Sequence, residues 1–184
     1  MWEGKNVTVF VTGGIAAFKA ATLVRLFVKA GANVEVAMTK SACEFITPLT
    51  FQVLTKNKVH TDTFDEDEAD LVQHIHLADK TDVAVVVPAT ANTIAKLANG
   101  IADNFVTSTL LATTAPIYVA PAMNEHMWEN PATVRNVAQL KADGKVIIEP
   151  TTGFLAEGYN GKGRLPEPEE IFEQVTFFEN RRLY

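Results

Sequence analysis

Five apolar runs of strand length, at 6–11, 33–38, 83–87, 116–119 and 145–148, are separated by stretches long enough to hold a helix. Largely apolar runs suit strands buried on both faces, and helix-length connections suit parallel crossovers. The spacing predicts a doubly wound α/β fold, a Rossmann-like or flavodoxin-like parallel sheet between two helical layers. Residues 15–30 repeat apolar positions at helical spacing and stop at Gly31, a suitable C-terminal cap. Residues 39–55 predict one or two short helices interrupted around Pro48, because proline excludes itself from a helix interior. The stretch 62–70, with DEDEAD at its centre, reads as a solvated acidic loop. Residues 167–184 read as a helix ending in NRRLY, a tail that suits either a natural end or the start of a linker.

The 184 residues, 47% hydrophobic, can bury one substantial core, so a single domain over 1–184 is expected. The net charge of −6 comes with no Lys/Arg stripe able to neutralise a phosphate backbone, so nucleic acid is not an expected partner. MWEGKNVTVF lacks the layout of a signal peptide, and no apolar run approaches the roughly 18 residues that span a bilayer. The single Cys43 cannot form an internal disulfide, which suits a reducing cytoplasm.

Open α/β sheets bind ligands outside the carboxyl ends of their strands. The residues just beyond each run are therefore the candidates. After the first run, Gly13 and Gly14 let the backbone approach a ligand, and the helix that follows offers free N–H groups to an anion; an empty tight turn would read the same way. Thr39-Lys40-Ser41 place hydroxyls after the second run, where they serve as helix caps or as phosphate partners. Pro88 to Thr93, PATANT, puts small hydrogen-bonding side chains after the most apolar run, as a capped helix start or as a cofactor edge. After the fourth run comes APAMNEHMWENP, in which Asn124 carries both amide donors and an acceptor. His74 and His76 could share one face of a strand, but no matching ligand cluster accompanies them, so a metal is not expected. Four of the ten glycines fall in 151–165, which predicts a mobile loop closing over a ligand rather than a packed element.

APAMNEHMW resembles the PxMNxxMW signature of the flavin-dependent cysteine decarboxylases, the family of the phosphopantothenoylcysteine and lantibiotic peptide decarboxylases. VTGGIAAFKA, QHIHLADKTDVAVVVPAT and PATANTIAKLANGIADN are similar to further elements of that family, so the resemblance runs from Val11 to about Leu165. It implies FMN, with Gly13, Gly14, Ile15, Thr39 and Ser41 at its phosphate and Phe45 near the ring. It sets Thr90, Asn92, Asp103, Asn104 and Thr107 around the flavin and at subunit contacts, and Met123 in the turn beside it. His74, not His76, falls on the family's active-site histidine, and Asn124 on the residue that grips the substrate carboxylate; Met127 and Trp128 read as packing rather than chemistry. The clamp loop departs from the family's L-A-C-G, whose cysteine supplies a late proton. Here the loop reads L-A-E-G, and Glu157 stands in that place.

The resemblance thus implies decarboxylation of phosphopantothenoylcysteine toward 4′-phosphopantetheine in coenzyme A synthesis, by a cytoplasmic homotrimer or dodecamer with His74 acting across a subunit boundary. GYNGKGRLPEPEE places the coenzyme A enzymes ahead of the peptidyl-cysteine oxidative decarboxylases. Two alternatives remain, a flavin prenyltransferase and a non-catalytic FMN-binding regulatory subunit.

Overall fold

The computed structural model describes residues 1–64 and 72–182. The acidic stretch expected at 62–70 therefore lies mostly outside the described residues, as do the last two residues of the expected C-terminal helix. Strands β1 (Asn6–Val11), β2 (Asn33–Met38), β3 (Val59–His60), β4 (Val83–Ala89), β5 (Ile117–Pro121) and β6 (Val146–Ile147) form one sheet in the order β3-β2-β1-β4-β5-β6. Every neighbouring pair in it is parallel. The helices are α1 (Ala17–Lys29), α2 (Lys40–Cys43), α3 (Pro48–Thr55), α4 (Gln73–Lys80), α5 (Ala91–Ala98), α6 (Phe105–Ala112), α7 (Glu125–Glu129), α8 (Pro131–Ala142) and α9 (Pro168–Arg182).

The pleat divides the core. Val7, Val9, Val11, Val83, Val85 and Val87 face Leu23, Val24 and Phe27 of α1, Phe51 of α3, and Ile171 and Val175 of α9. Phe10, Ala84 and Val86 face Leu77, Ile94, Phe105 and Leu110 of α4, α5 and α6, and Val137 and Leu140 of α8. All seven residues of β4 are buried, and each large side chain so enclosed contributes about 1.5–3 kcal/mol by leaving water. Trp2 ties the C-terminal helix to this core through an indole N–H donated to Thr176 Oγ1 at 3.1 Å and an edge-on contact with Phe27.

Several expectations change, and the strand expected at 116–119 runs from Ile117 to Pro121. Val59–His60 was too short to register as a strand. The run expected at 145–148 pairs only at Val146 and Ile147, while the strand expected at 83–87 extends to Ala89. His74 and His76 lie on helix α4, where residues two apart point about 200° apart, and so share no face. Residues 151–165 are largely an antiparallel hairpin, β7 (Thr151–Phe154) with β8 (Asn160–Arg164), rather than an unpaired loop. Its glycines serve close packing: a Cβ on Gly163, whose φ is +139°, would lie 2.1 Å from the Met123 carbonyl oxygen.

Candidate functional site

β1 and β4 are neighbours at the centre of the sheet, and the chain winds away from them in opposite directions. Their carboxyl ends bound the crevice that such a reversal opens. The buried Thr12 hydroxyl bolts these two ends together, donating to the Pro88 carbonyl at 2.5 Å and accepting the Thr90 N–H at 3.1 Å. The Gly13 turn lies hard against the start of α2, since a Cβ there would sit 2.4 Å from Ser41 Cβ. Helix α1 has no side-chain cap. The Ala17 N–H closes on the Gly14 carbonyl at 2.9 Å, so the amides just before it and the positive end of the helix are left for an anion. Thr39 uses a hydroxyl lone pair to cap α2 through the Ala42 N–H at 3.2 Å, which leaves its own proton to donate.

Two cavities meet at this turn, sharing Gly13 and Thr90. The smaller, of about 460 Å³, is lined by Thr39, Ser41, Asn92, Asp103 and Phe105 among others. The larger, of about 660 Å³, is lined by Gly14, Ile15, Phe18, Met123, Asn124 and Glu157 among others. Both are of the size that small ligands and cofactors occupy. Asp103 forms an ion pair with Lys96 at 2.6 Å, which holds its carboxyl below the usual range. The Thr90 hydroxyl both caps α5 and donates to Thr93, so it is already engaged.

The β7–β8 hairpin closes the larger cavity. It is fastened to the loop after β5 by the Met123 N–H, donated to the Gly163 carbonyl at 3.0 Å, and by the Lys162 N–H, donated to Glu125 at 2.9 Å. Asn124 caps α7 by accepting the His126 N–H at 2.9 Å. Its amide nitrogen donates to Glu157 Oε1 at 3.0 Å and to the Tyr159 hydroxyl oxygen at 2.9 Å. Two residues singled out in the sequence, far apart in the chain, thus touch directly. A carboxylate of the protein occupies the amide.

Three expected residues line neither cavity. Phe45 is half exposed, and Thr107 is buried and committed to a capping box with Asn104. His74 meets Phe105 edge-on, with ring centroids 6.4 Å apart, so one aromatic ring separates it from the smaller cavity. Its Nδ1 is buried with no hydrogen-bond partner among the described residues. Stacked near-parallel on that ring, 4.9 Å away, is His60, whose Nε2 meets Glu35 at 3.2 Å. Glu35 also takes Lys80. The His60 hydrogen bond, aided by Lys80 against the opposing effect of burial, holds the Glu35 carboxyl at about 2. Sequence reasoning passed over Thr12, Lys19, Tyr159 and Arg164. Thr12 was visible as the hydroxyl leading into the glycine turn, whereas the other three become site residues only through tertiary packing.

A family model described as Flavoprotein matches residues 1–178. The coenzyme A biosynthesis bifunctional protein CoaBC of Bacillus subtilis (strain 168) is 56% identical over 171 residues, 93% of this chain but 42% of that protein. The chain thus spans under half the length of such bifunctional relatives. A probable phosphopantothenoylcysteine decarboxylase of Streptococcus mutans is 44% identical over 173 residues, 93% of this chain and 97% of that protein. A solved PPC decarboxylase mutant, complexed with pantothenoylaminoethenethiol, superposes with a TM-score of 0.86 at 34% identity, covering 97% of this chain and all of the other. Other solved structures that superpose are named as an FMN-binding protein and an FMN-dependent cysteine decarboxylase.

Proposed function

The chain belongs to the Flavoprotein family, and from that premise we propose that it binds FMN and decarboxylates 4′-phosphopantothenoylcysteine toward 4′-phosphopantetheine, as a carbon–carbon lyase of coenzyme A synthesis. The observation that carries this reading is the contact between the uncapped α1 turn, suited to a phosphate, and a cavity that Asn124 and the hairpin close. The residues fit the cofactor. Gly13 leaves room where a Cβ would collide with Ser41, and the amides of Gly13, Gly14 and Ile15 with the hydroxyls of Thr39 and Ser41 would hold a terminal phosphate. Thr90, Asn92, Asp103 and Met123 would flank the rest of the flavin.

Bound FMN supplies reversible two-electron oxidation of the cysteine moiety, which makes loss of carbon dioxide easy. The protein groups bind and move protons. Asn124 would exchange the Glu157 carboxylate for the substrate's, with little change in its hydrogen bonding. His74 would take the proton during oxidation. Glu157 would return a proton late.

Since His74 lines neither cavity of its own chain, it would serve a second copy, in a homotrimer that can group further into a dodecamer. Phe45, more than half exposed and outside both cavities, supports such a contact. No helix among the described residues is long and apolar enough to cross a membrane, and a cytoplasmic enzyme whose 184 residues act as one domain agrees with the lone Cys43.

Purified protein should be yellow, should release FMN on denaturation, and should release carbon dioxide from phosphopantothenoylcysteine. A colourless protein that also fails to take up added FMN would overturn the reading.

A further inference from the structure

Three charged side chains line the larger cavity: Glu157, Lys19 and Arg164. The first is held by Asn124. The other two converge, from helix α1 and from the end of β8, on a single carboxylate oxygen: Lys19 Nζ lies 2.9 Å and Arg164 Nη2 2.8 Å from Glu167 Oε1. Lys19 is 11% exposed, so its charge sits in a largely desolvated place, steadied by a further hydrogen bond to the Leu165 carbonyl at 3.1 Å. Glu167 is 49% exposed. It can therefore turn into water when another anion takes its place, since the largely desolvated Lys19 needs a partner charge throughout.

We infer that Lys19 and Arg164 form a phosphate-monoester subsite of the larger cavity, and that Glu167 is the displaceable carboxylate partly neutralising it until ligand arrives. A phosphate monoester carries between one and two negative charges near pH 7 and three acceptor oxygens, enough to take both cations at once. Arginine offers a planar fork and lysine a point charge, a pairing suited to such a group. The apolar lining of the same cavity includes Ile15, Phe18, Met127 and Phe154, all strongly exposed in the free protein. A ligand with a phosphate at one end, an aliphatic middle and a carboxylate at the other would cover them. The inference rests on the proposed function for the identity of that ligand, but the subsite itself is defined by charge.

Titration calorimetry on FMN-loaded protein with 4′-phosphopantothenate and with pantothenate separates the two ideas. Wild-type protein should bind the phosphorylated acid about 10- to 100-fold more tightly. Arg164→Gln and Lys19→Met should each bring that ratio toward one. Glu167→Gln should raise the affinity for the phosphorylated acid several-fold, a gain that a merely structural role for Glu167 would not give. Equal affinities in wild-type protein, a ratio that survives both cation substitutions, or weaker phosphate binding by Glu167→Gln would each overturn the subsite. A preserved ratio in protein that releases no carbon dioxide from phosphopantothenoylcysteine would instead overturn the proposed reaction and leave the subsite standing.

Discussion

The two walls of the site are built differently. The sheet-end wall rests on β1 and β4, central strands buried along almost their whole length, and Thr12 bolts their ends together from a fully enclosed position. The hairpin wall is mostly exposed, and side-chain and backbone bonds around Met123, Asn124 and Glu125 fasten it to the body. Local opening needs least free energy where few apolar contacts are lost. A fixed wall suits a cofactor that stays, and a lightly fastened one suits a substrate that must enter and leave.

If that division is right, substitutions on the two sides should separate flavin binding from turnover. The largest effect is expected from His74→Asn, which should retain FMN yet lose decarboxylation by roughly 10²- to 10⁴-fold, the range for a lost general base. His76, exposed and turned away on the same helix, should tolerate asparagine with little change. Equal losses in carbon dioxide release from the two variants would remove His74 from the chemistry. Next comes Asn124→Asp, which sets a carboxylate beside Glu157 and beside the incoming substrate carboxylate. Turnover should fall on the order of 10²- to 10³-fold, comparable to losing a preorganised donor, with the flavin spectrum unchanged.

Two glycines test the division most directly. Gly13→Val forces a side chain to within 2.4 Å of Ser41, and Gly163→Val forces one to within 2.1 Å of the Met123 carbonyl. Overpacking of this kind costs about 1–3 kcal/mol, or about 10- to 100-fold in a binding constant. The first variant should lose FMN. The second should keep FMN and lose affinity for substrate, because only the hairpin is displaced. Loss of flavin from both, read by absorbance after gel filtration, would mean that the hairpin belongs to the fixed wall.

Acid should weaken the sheet side through Glu35. The Glu35 carboxyl is held at about 2 against an ordinary 4.5, so its contribution is present above the ordinary value and is lost as pH falls from about 4.5 to 2. With Glu35 largely buried, the loss is on the order of 2 kcal/mol. Thermal melts across that interval should show Glu35→Gln with a flatter acid limb than wild type. Parallel curves would show that other carboxylates govern acid stability.

Much of the fixed wall was legible in the sequence, and little of the hairpin was. β1 and β2 match their apolar runs residue for residue, because strands buried on both faces must be apolar throughout. The short helices on either side of Pro48 were likewise visible, with the proline at the start of α3. The 151–165 segment misled because its glycines and polar residues carry the composition of a loop. Gly161 and Gly163 are in fact buried where β8 passes close to Glu125 and Met123. The pairing of Asn124 with Glu157 and Tyr159 depends on that docking, and no periodicity reports it.

The smallest expected effect tests the hairpin's chemistry. Glu157 spends a carboxyl oxygen accepting from the Asn124 amide, so it is a poor replacement for a thiol acid. Glu157 also occupies the Asn124 amide that the substrate carboxylate would use. Glu157→Cys should therefore act twice, freeing Asn124 so that KM falls and supplying a protonated group that speeds the return of electrons, each by several-fold. Under anaerobic conditions mass spectrometry should find the wild-type protein accumulating oxidised enethiol, and the variant yielding more 4′-phosphopantetheine. Fully reduced product from wild-type protein at an unimpeded rate, with no gain from Glu157→Cys, would assign the late proton to another group. Tyr159 is placed for that role: its hydroxyl oxygen accepts from Asn124, and its proton is left to donate.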